Sequence, residues 1–181
     1  TAWCRMYFHG HLMELALSMK LIREHGNEWN VDVKRIAVSG FSAGGHLACC
    51  LGTFWNKEWL YKALEVKPEM IQPNGMILCY PVITSEEYCH KGSFECLMGT
   101  EASKKDVELR RLLSLEYQVG PQVPKTFLWH TWADQSVPVE NSLLLLTGFK
   151  KGRSKRGSTF VSRWAPTGSP LEQKKPRESN Q

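Results

Sequence analysis

Apolar positions along this chain switch between helical and strand-like spacing several times. Leu12, Leu15, Met19 and Ile22 recur every three or four residues, which predicts a helix over residues 11–24 with Gly26 as its stop. The compact apolar stretch Arg35-Ile36-Ala37-Val38-Ser39 reads as a short buried strand, and Gly45-His46-Leu47-Ala48-Cys49-Cys50-Leu51 as the start of a helix reaching Phe54. A turn at Pro73-Asn74-Gly75 leads into Met76-Ile77-Leu78-Cys79-Tyr80, a continuous apolar run that predicts a strand covered on both faces and ended by Pro81. Residues 85–99, punctuated by Gly92 and Gly99, read as a loop. Val107, Leu109, Leu112 and Leu113 mark a helix over 106–115, Thr126-Phe127-Leu128-Trp129 a third strand, and 139–149 a further helix. Strands alternating with helices predict an α/β fold whose parallel strands are joined by right-handed crossovers.

The periodicity ends at Gly148, and composition changes with it. Residues 149–181 hold nine Lys/Arg and two Asp/Glu, a net +7, whereas the first 148 residues hold 14 basic and 16 acidic groups, a net −2. Residues 1–148 therefore read as one globular core, and 149–181 as a basic, Pro-containing tail expected to be disordered. Phe160 and Trp164 stand among the tail's basic residues, yet no nucleic-acid-binding fold accompanies them, and no nucleic-acid partner is expected. No apolar run approaches the ~20 residues of a membrane span, and no signal peptide is visible, so a cytoplasmic location is the expectation. Cys4, Cys49, Cys50, Cys79, Cys89 and Cys96 lack metal-binding spacing and read as reduced, mostly buried thiols. No metal or cofactor is implied.

The chemistry concentrates at two places. Gly40-Phe41-Ser42-Ala43-Gly44 lies between a predicted strand and a predicted helix, the setting of a nucleophile elbow. In that setting Ser42 projects its hydroxyl from a tight turn over the positive end of the helix; the alternative is a plain small-residue turn. The second place is Trp129-His130-Thr131-Trp132-Ala133-Asp134-Gln135-Ser136-Val137-Pro138, where Asp134 follows a buried strand. A carboxylate there can orient a catalytic histidine, and Ser42 before Asp134 fits the chain order Ser, Asp, His. It can equally cap a helix or shape a turn.

Residues 31–48, with the segments 74–81, 90–93 and 127–143, resemble bacterial acetylesterases of the α/β-hydrolase superfamily, including acetyl-xylan and endo-xylanase-like esterases. The resemblance spans residues 7–149. It implies a partial α/β-hydrolase fold, Ser42 as nucleophile, the Ala43 amide in the oxyanion hole, Asp134 as triad acid, and a small-molecule or carbohydrate ester as substrate. Trp132-Ala133 departs from the Ala-Asp usual before that acid.

Two parts of that machinery are missing from the expected positions. The family's His-Gly-Gly-Gly-type loop lies upstream of the elbow; His9-Gly10-His11 is not that loop and is expected to cap or flank the first helix. A triad histidine should follow Asp134, yet His9, His11, His25, His46, His90 and His130 all precede it. His46 is expected to pack its helix, His25 and His90 to lie on the surface or in loops, and His130 to be a neighbouring histidine rather than the base. Three classes of function follow: an incomplete serine acetylesterase, a pseudo-hydrolase that binds without turnover, and a nucleic-acid binder acting through the tail. An incomplete sheet would also leave apolar faces and a strand edge uncovered, so the chain is expected to be poorly stable alone. Back-translation gives the tail another meaning. Codons for Pro166-Thr167-Gly168-Ser169-Pro170-Leu171 read from each third base permit His-Gly-Leu-Ser-Leu, which resembles the family's catalytic-histidine segment. Lys151-Gly152-Arg153-Ser154 and the first base of Lys155, read from each second base, permit Lys-Ala-Gly-Val, which resembles the approach to its last strand. The two lie in different frames, so the tail is read as frame-shifted by more than one insertion or deletion.

Overall fold

A computed structural model describes residues 2–152 and 158–163. The long first helix, α1 (Ala2–Glu24), buries Leu12, Ala16 and Met19 on one stripe. It begins earlier than its apolar spacing indicated, so His9-Gly10-His11 lies inside the helix rather than flanking it. Arg23, near its end, donates to the carbonyls of Val33, Met70 and Gln72 and so ties α1 to the segments that lead into the first two strands.

The first strand, β1 (Ala37–Phe41), runs directly into α2 (Ser42–Phe54). Two single-turn helices follow, α3 (Glu58–Tyr61) and α4 (Pro68–Ile71), the latter opened by a proline whose missing N–H costs a first turn nothing. After β2 (Gly75–Cys79) come α5 (Lys91–Met98), α6 (Thr100–Lys105) and α7 (Val107–Leu113), then a 3₁₀ turn at Leu115–Tyr117. Residues 85–99 are thus not all loop. His90 caps α5, its Nδ1 accepting from the Ser93 amide at 3.2 Å and the Ser93 hydroxyl at 2.9 Å. Asp106 caps α7 by accepting from the Leu109 amide at 2.9 Å.

The chain then enters β3 (Lys125–Thr131), α8 (Glu140–Lys151) and β4 (Ser158–Arg163). All strand pairs are parallel, in the order β1-β2-β3-β4, and the register sets Phe41, Cys79, Trp129 and Val161 at one level. Within the segment read as an irregular tail, α8 continues to Lys151 and residues 158–163 pair with β3. Averaged over 33 residues, the basic composition hid a short β-branched and aromatic run, Ser158-Thr159-Phe160-Val161-Ser162. Pro166–Leu171, on which the frame-shift reading of the histidine segment rests, lies outside the described residues, as does Trp164.

Strand residues alternate between two environments. Val38, Met76, Leu78 and Leu128 are buried in the core with Ala48, Leu51 and Phe54 of α2. On the other face Phe41, Ile77 and Phe127 are 48%, 40% and 41% exposed. The apolar run of β2 predicted cover on both faces, and among the described residues it has cover on one. Cys49 and Cys50 are free and fully buried, and Cys96 is exposed.

Candidate active site

The turn from β1 into α2 is strained at one residue. Ser42 has φ +51°, a left-handed conformation that costs a residue with a Cβ about 1–3 kcal/mol. The strain follows from packing beneath it. A Cβ on Gly40 would stand 2.1 Å from the Gly44 carbonyl oxygen and 2.7 Å from the Gly45 nitrogen, so the strand end and first helical turn meet with no room for a side chain. Gly45 is close to Pro81 in the same way, its Cβ position being 2.8 Å from Pro81 Cβ. Ser42 is half-buried and Ala43 exposed, in a first turn whose amides have no intrahelical acceptor. The positive end of a 13-residue helix thus stands beside the Ser42 hydroxyl.

The segment after β2 braces this turn. Tyr80 is also left-handed, φ +37°, and its amide donates to the Trp129 carbonyl at 2.6 Å. Val82 donates its N–H to the Ser42 carbonyl at 3.1 Å and accepts from His46 Nδ1 at 3.1 Å. Burial pushes the His46 imidazole down to about 4, against the opposing pull of the Val82 bond. The ring packs edge-on against Phe94, 5.6 Å between centroids.

Asp134 lies three residues beyond β3 with its side chain 3% exposed. Its Oδ1 accepts from the amides of Ser136 at 2.9 Å and Val137 at 3.0 Å, shaping the turn into α8, while Oδ2 is 3.7 Å from His130 Nε2. His130 is fully buried. Its Nε2 is 2.9 Å from the Val137 carbonyl, which can only accept, so Nε2 carries the proton and Nδ1 accepts from the Ser142 hydroxyl at 2.7 Å. Burial lowers its pKa, opposed by the Val137 bond and by Asp134. Both ring nitrogens of His130 are therefore engaged. His25 bonds Glu28 at 2.8 Å and stacks on Trp29, and His9 sits edge-on to Trp59.

A largely apolar cavity of about 710 Å³ opens beside the elbow, lined by Ala43, Gly44, Leu47, Phe94, Leu97 and His11 among others. Among the described residues no three His, Cys, Asp or Glu side chains come together as metal ligands, and no helix is long and apolar enough to cross a membrane.

A family model described as BD-FAE matches residues 8–149, which take in the elbow, the Tyr80–Val82 brace and the Asp134 turn. The chain belongs to the BD-FAE family. It is 35% identical over 144 residues to endo-1,4-beta-xylanase B of Butyrivibrio fibrisolvens, a match covering 77% of this chain and 21% of that protein. It is 33% identical over 86 residues to an acetylxylan esterase of Xylanibacter ruminicola, covering 47% of this chain and 15% of that one. Its fold resembles the crystal structure of an acetyl ester-xyloside bifunctional hydrolase from Caldicellulosiruptor lactoaceticus, with a TM-score of 0.72 and 35% identity over 87% of this chain and 56% of the other. The parallel sheet flanked by helices is an α/β-hydrolase fold, and this BD-FAE chain spans little more than half the length of that structural relative.

Within this BD-FAE chain, Ser42, Ala43 and Asp134 all stand at the carboxyl edge of the sheet, Ser42 after β1 and Asp134 after β3. Sequence reasoning missed Tyr80 and Val82. Pro81 behind an apolar run was their one visible signal, but it announced only a strand end. Nothing in residue type reveals that the backbone there would bond to Ser42 and Trp129.

Proposed function

We propose that Ser42 is the nucleophile of a serine esterase acting on short-chain, acetyl-type esters carried on carbohydrate, and that residues 1–148 are a core piece of that enzyme. The observation that carries the reading is the left-handed Ser42 at a strand-to-helix junction that admits no side chain at Gly40. A base removes the Oγ proton as Oγ attacks the ester carbonyl. The oxyanion then faces the Ala43 amide and the α2 dipole, the base returns its proton to the departing alcohol, and the same base deprotonates the water that hydrolyses the acyl-serine and gives the proton back to Oγ. Asp134 keeps Oδ1 in its turn, and Oδ2, which makes no bond in that turn and lies 3.7 Å from His130 Nε2, is the oxygen that would orient the catalytic imidazole. With β2 between them, β1 and β3 stand about 10 Å apart, a gap that suits a serine and a carboxylate bridged by one ring. The apolar cavity beside Ala43 gives the acyl or alcohol portion a place to sit. The carbohydrate substrate is suggested by the acetylxylan esterase and xylanase among the relatives.

The base is assigned to the histidine segment that the out-of-frame reading of Pro166–Leu171 restores, which follows Asp134 in the chain as the order Ser, Asp, His requires. The engaged nitrogens of His130 favour a second reading for the chain as it stands, a pseudo-hydrolase that holds an ester without turnover. Activity of the enzyme carrying the histidine segment separates these. There, Ser42→Ala should abolish hydrolysis of p-nitrophenyl acetate, and Asp134→Asn should keep the fold and lose most of the rate; near-parental turnover in Ser42→Ala would overturn the assignment.

A further inference from the structure

His46 stands one helical turn beyond Ser42, and the residue is 5% exposed. The Val82 carbonyl only accepts, so the 3.1 Å contact puts the proton on Nδ1 and leaves Nε2 a bare acceptor. Nε2 is buried with no hydrogen-bond partner among the described residues. An unsatisfied buried acceptor is unfavourable, and an apolar side chain at this position would pack against Phe94 without that penalty. Packing alone therefore does not account for an imidazole here. The bond it does make leads straight to the elbow: Val82 accepts from His46 through its carbonyl and donates to the Ser42 carbonyl through its N–H, at 3.1 Å in each case. Gly45 closes the same contact from the helix side by fitting against Pro81.

We propose that His46 is a positioning residue for Ser42, holding Val82 so that its N–H fixes the Ser42 carbonyl and, with it, the left-handed turn that presents the hydroxyl. The proposal rests on the reading of Ser42 as the nucleophile, but its test does not use catalysis. Burial keeps the ring neutral near pH 7, so the Nδ1–H donor is permanent there.

Nitrogen-15 NMR of the full chain labelled at histidine should show a neutral, Nδ1-protonated His46 at pH 7. An Nε2-protonated or charged ring would overturn the proposal. Two substitutions separate positioning from packing. His46→Asn keeps an amide donor where Nδ1 stands, whereas His46→Leu fills the space without one. The Val82 amide should exchange with deuterium about fivefold or more faster in His46→Leu, with Ser42 Cα and Cβ shifts moving away from left-handed values. Both should stay near those of the parent in His46→Asn, and Leu128 in β3 should be unaffected in either. Unchanged Val82 exchange in His46→Leu, or equal acceleration at Leu128, would overturn the proposal. If His46→Leu does not fold, His46→Asn still decides: parental Val82 exchange and Ser42 shifts support the claim, and their loss refutes it. A Ser42 that proves unreactive would leave all these readings in place, so the two claims fail separately.

Discussion

Gly40→Ala is the smallest perturbation that should disrupt the elbow. The added methyl would stand 2.1 Å from Gly44 O, 2.5 Å from Gly44 C and 2.7 Å from Gly45 N. All three are backbone atoms of the first turn of α2, so no side-chain rotation relieves the overlap. Either β1 or the helix start must move. Overpacking of a well-filled site typically costs about 1–3 kcal/mol, and a clash with backbone belongs at the upper end, a large share of the ~5–15 kcal/mol that stabilises an ordinary domain. Gly44→Ala, two residues past the serine, is the control. A Cβ there meets nothing within 4 Å among the described residues, and the residue is helical. Alanine gains up to ~1 kcal/mol over glycine in a helix interior and less in a first turn, so the expected change is between about zero and 1 kcal/mol of stabilisation. Urea unfolding followed by circular dichroism, with the m-value checked for constancy, measures both. A Gly44→Ala variant destabilised as much as Gly40→Ala, or a Gly40→Ala variant within ~0.5 kcal/mol of the parent, would refute the reasoning.

Stability should also fall with pH through His46, whose ring drops from 6.5 when unfolded to about 4 in the fold. Between those values the unfolded ring binds a proton that the folded ring refuses, so the contribution is complete above 6.5 and declines toward 4, by ~3 kcal/mol in all; His46→Asn should flatten the pH 7-to-4 difference, and an unchanged slope would contradict the assignment. Resequencing the gene tests the tail: the codons for Pro166–Leu171 should spell His-Gly-Leu-Ser-Leu in another frame, and codons that cannot do so would favour a true pseudo-hydrolase.

The elements with strong local signals were legible from residue type. The strand before Ser42, the helix after it, the apolar runs of β2 and β3 and the last helix follow the expected spacing to within a few residues. Helix α5 was hidden because its cap is a histidine, an uncommon choice, and because Gly92 sits in its first turn. Strand β4 was hidden inside a basic stretch, since its existence depends on pairing with Thr126–Thr131 rather than on local preference. At the site, Ser42 and Asp134 stand out by type and order. That one oxygen of the Asp134 carboxylate is taken up by a turn while the other lies 3.7 Å from His130 Nε2 needed coordinates. So did the bond from His46 to Val82, because a histidine on a buried helix face reads the same whether it packs or positions.

Covalent capture of Ser42 in the chain as it stands bears most directly on the elbow. A fluorophosphonate phosphonylates an activated serine, and peptide mass spectrometry locates the adduct. Because no described imidazole engages the Ser42 hydroxyl, labelling should be slow, confined to Ser42, accelerated by imidazole added as a surrogate base, and absent from Ser42→Ala. No adduct at Ser42 with imidazole present, or adducts spread evenly over other serines, would contradict the reading of Ser42 as a nucleophile.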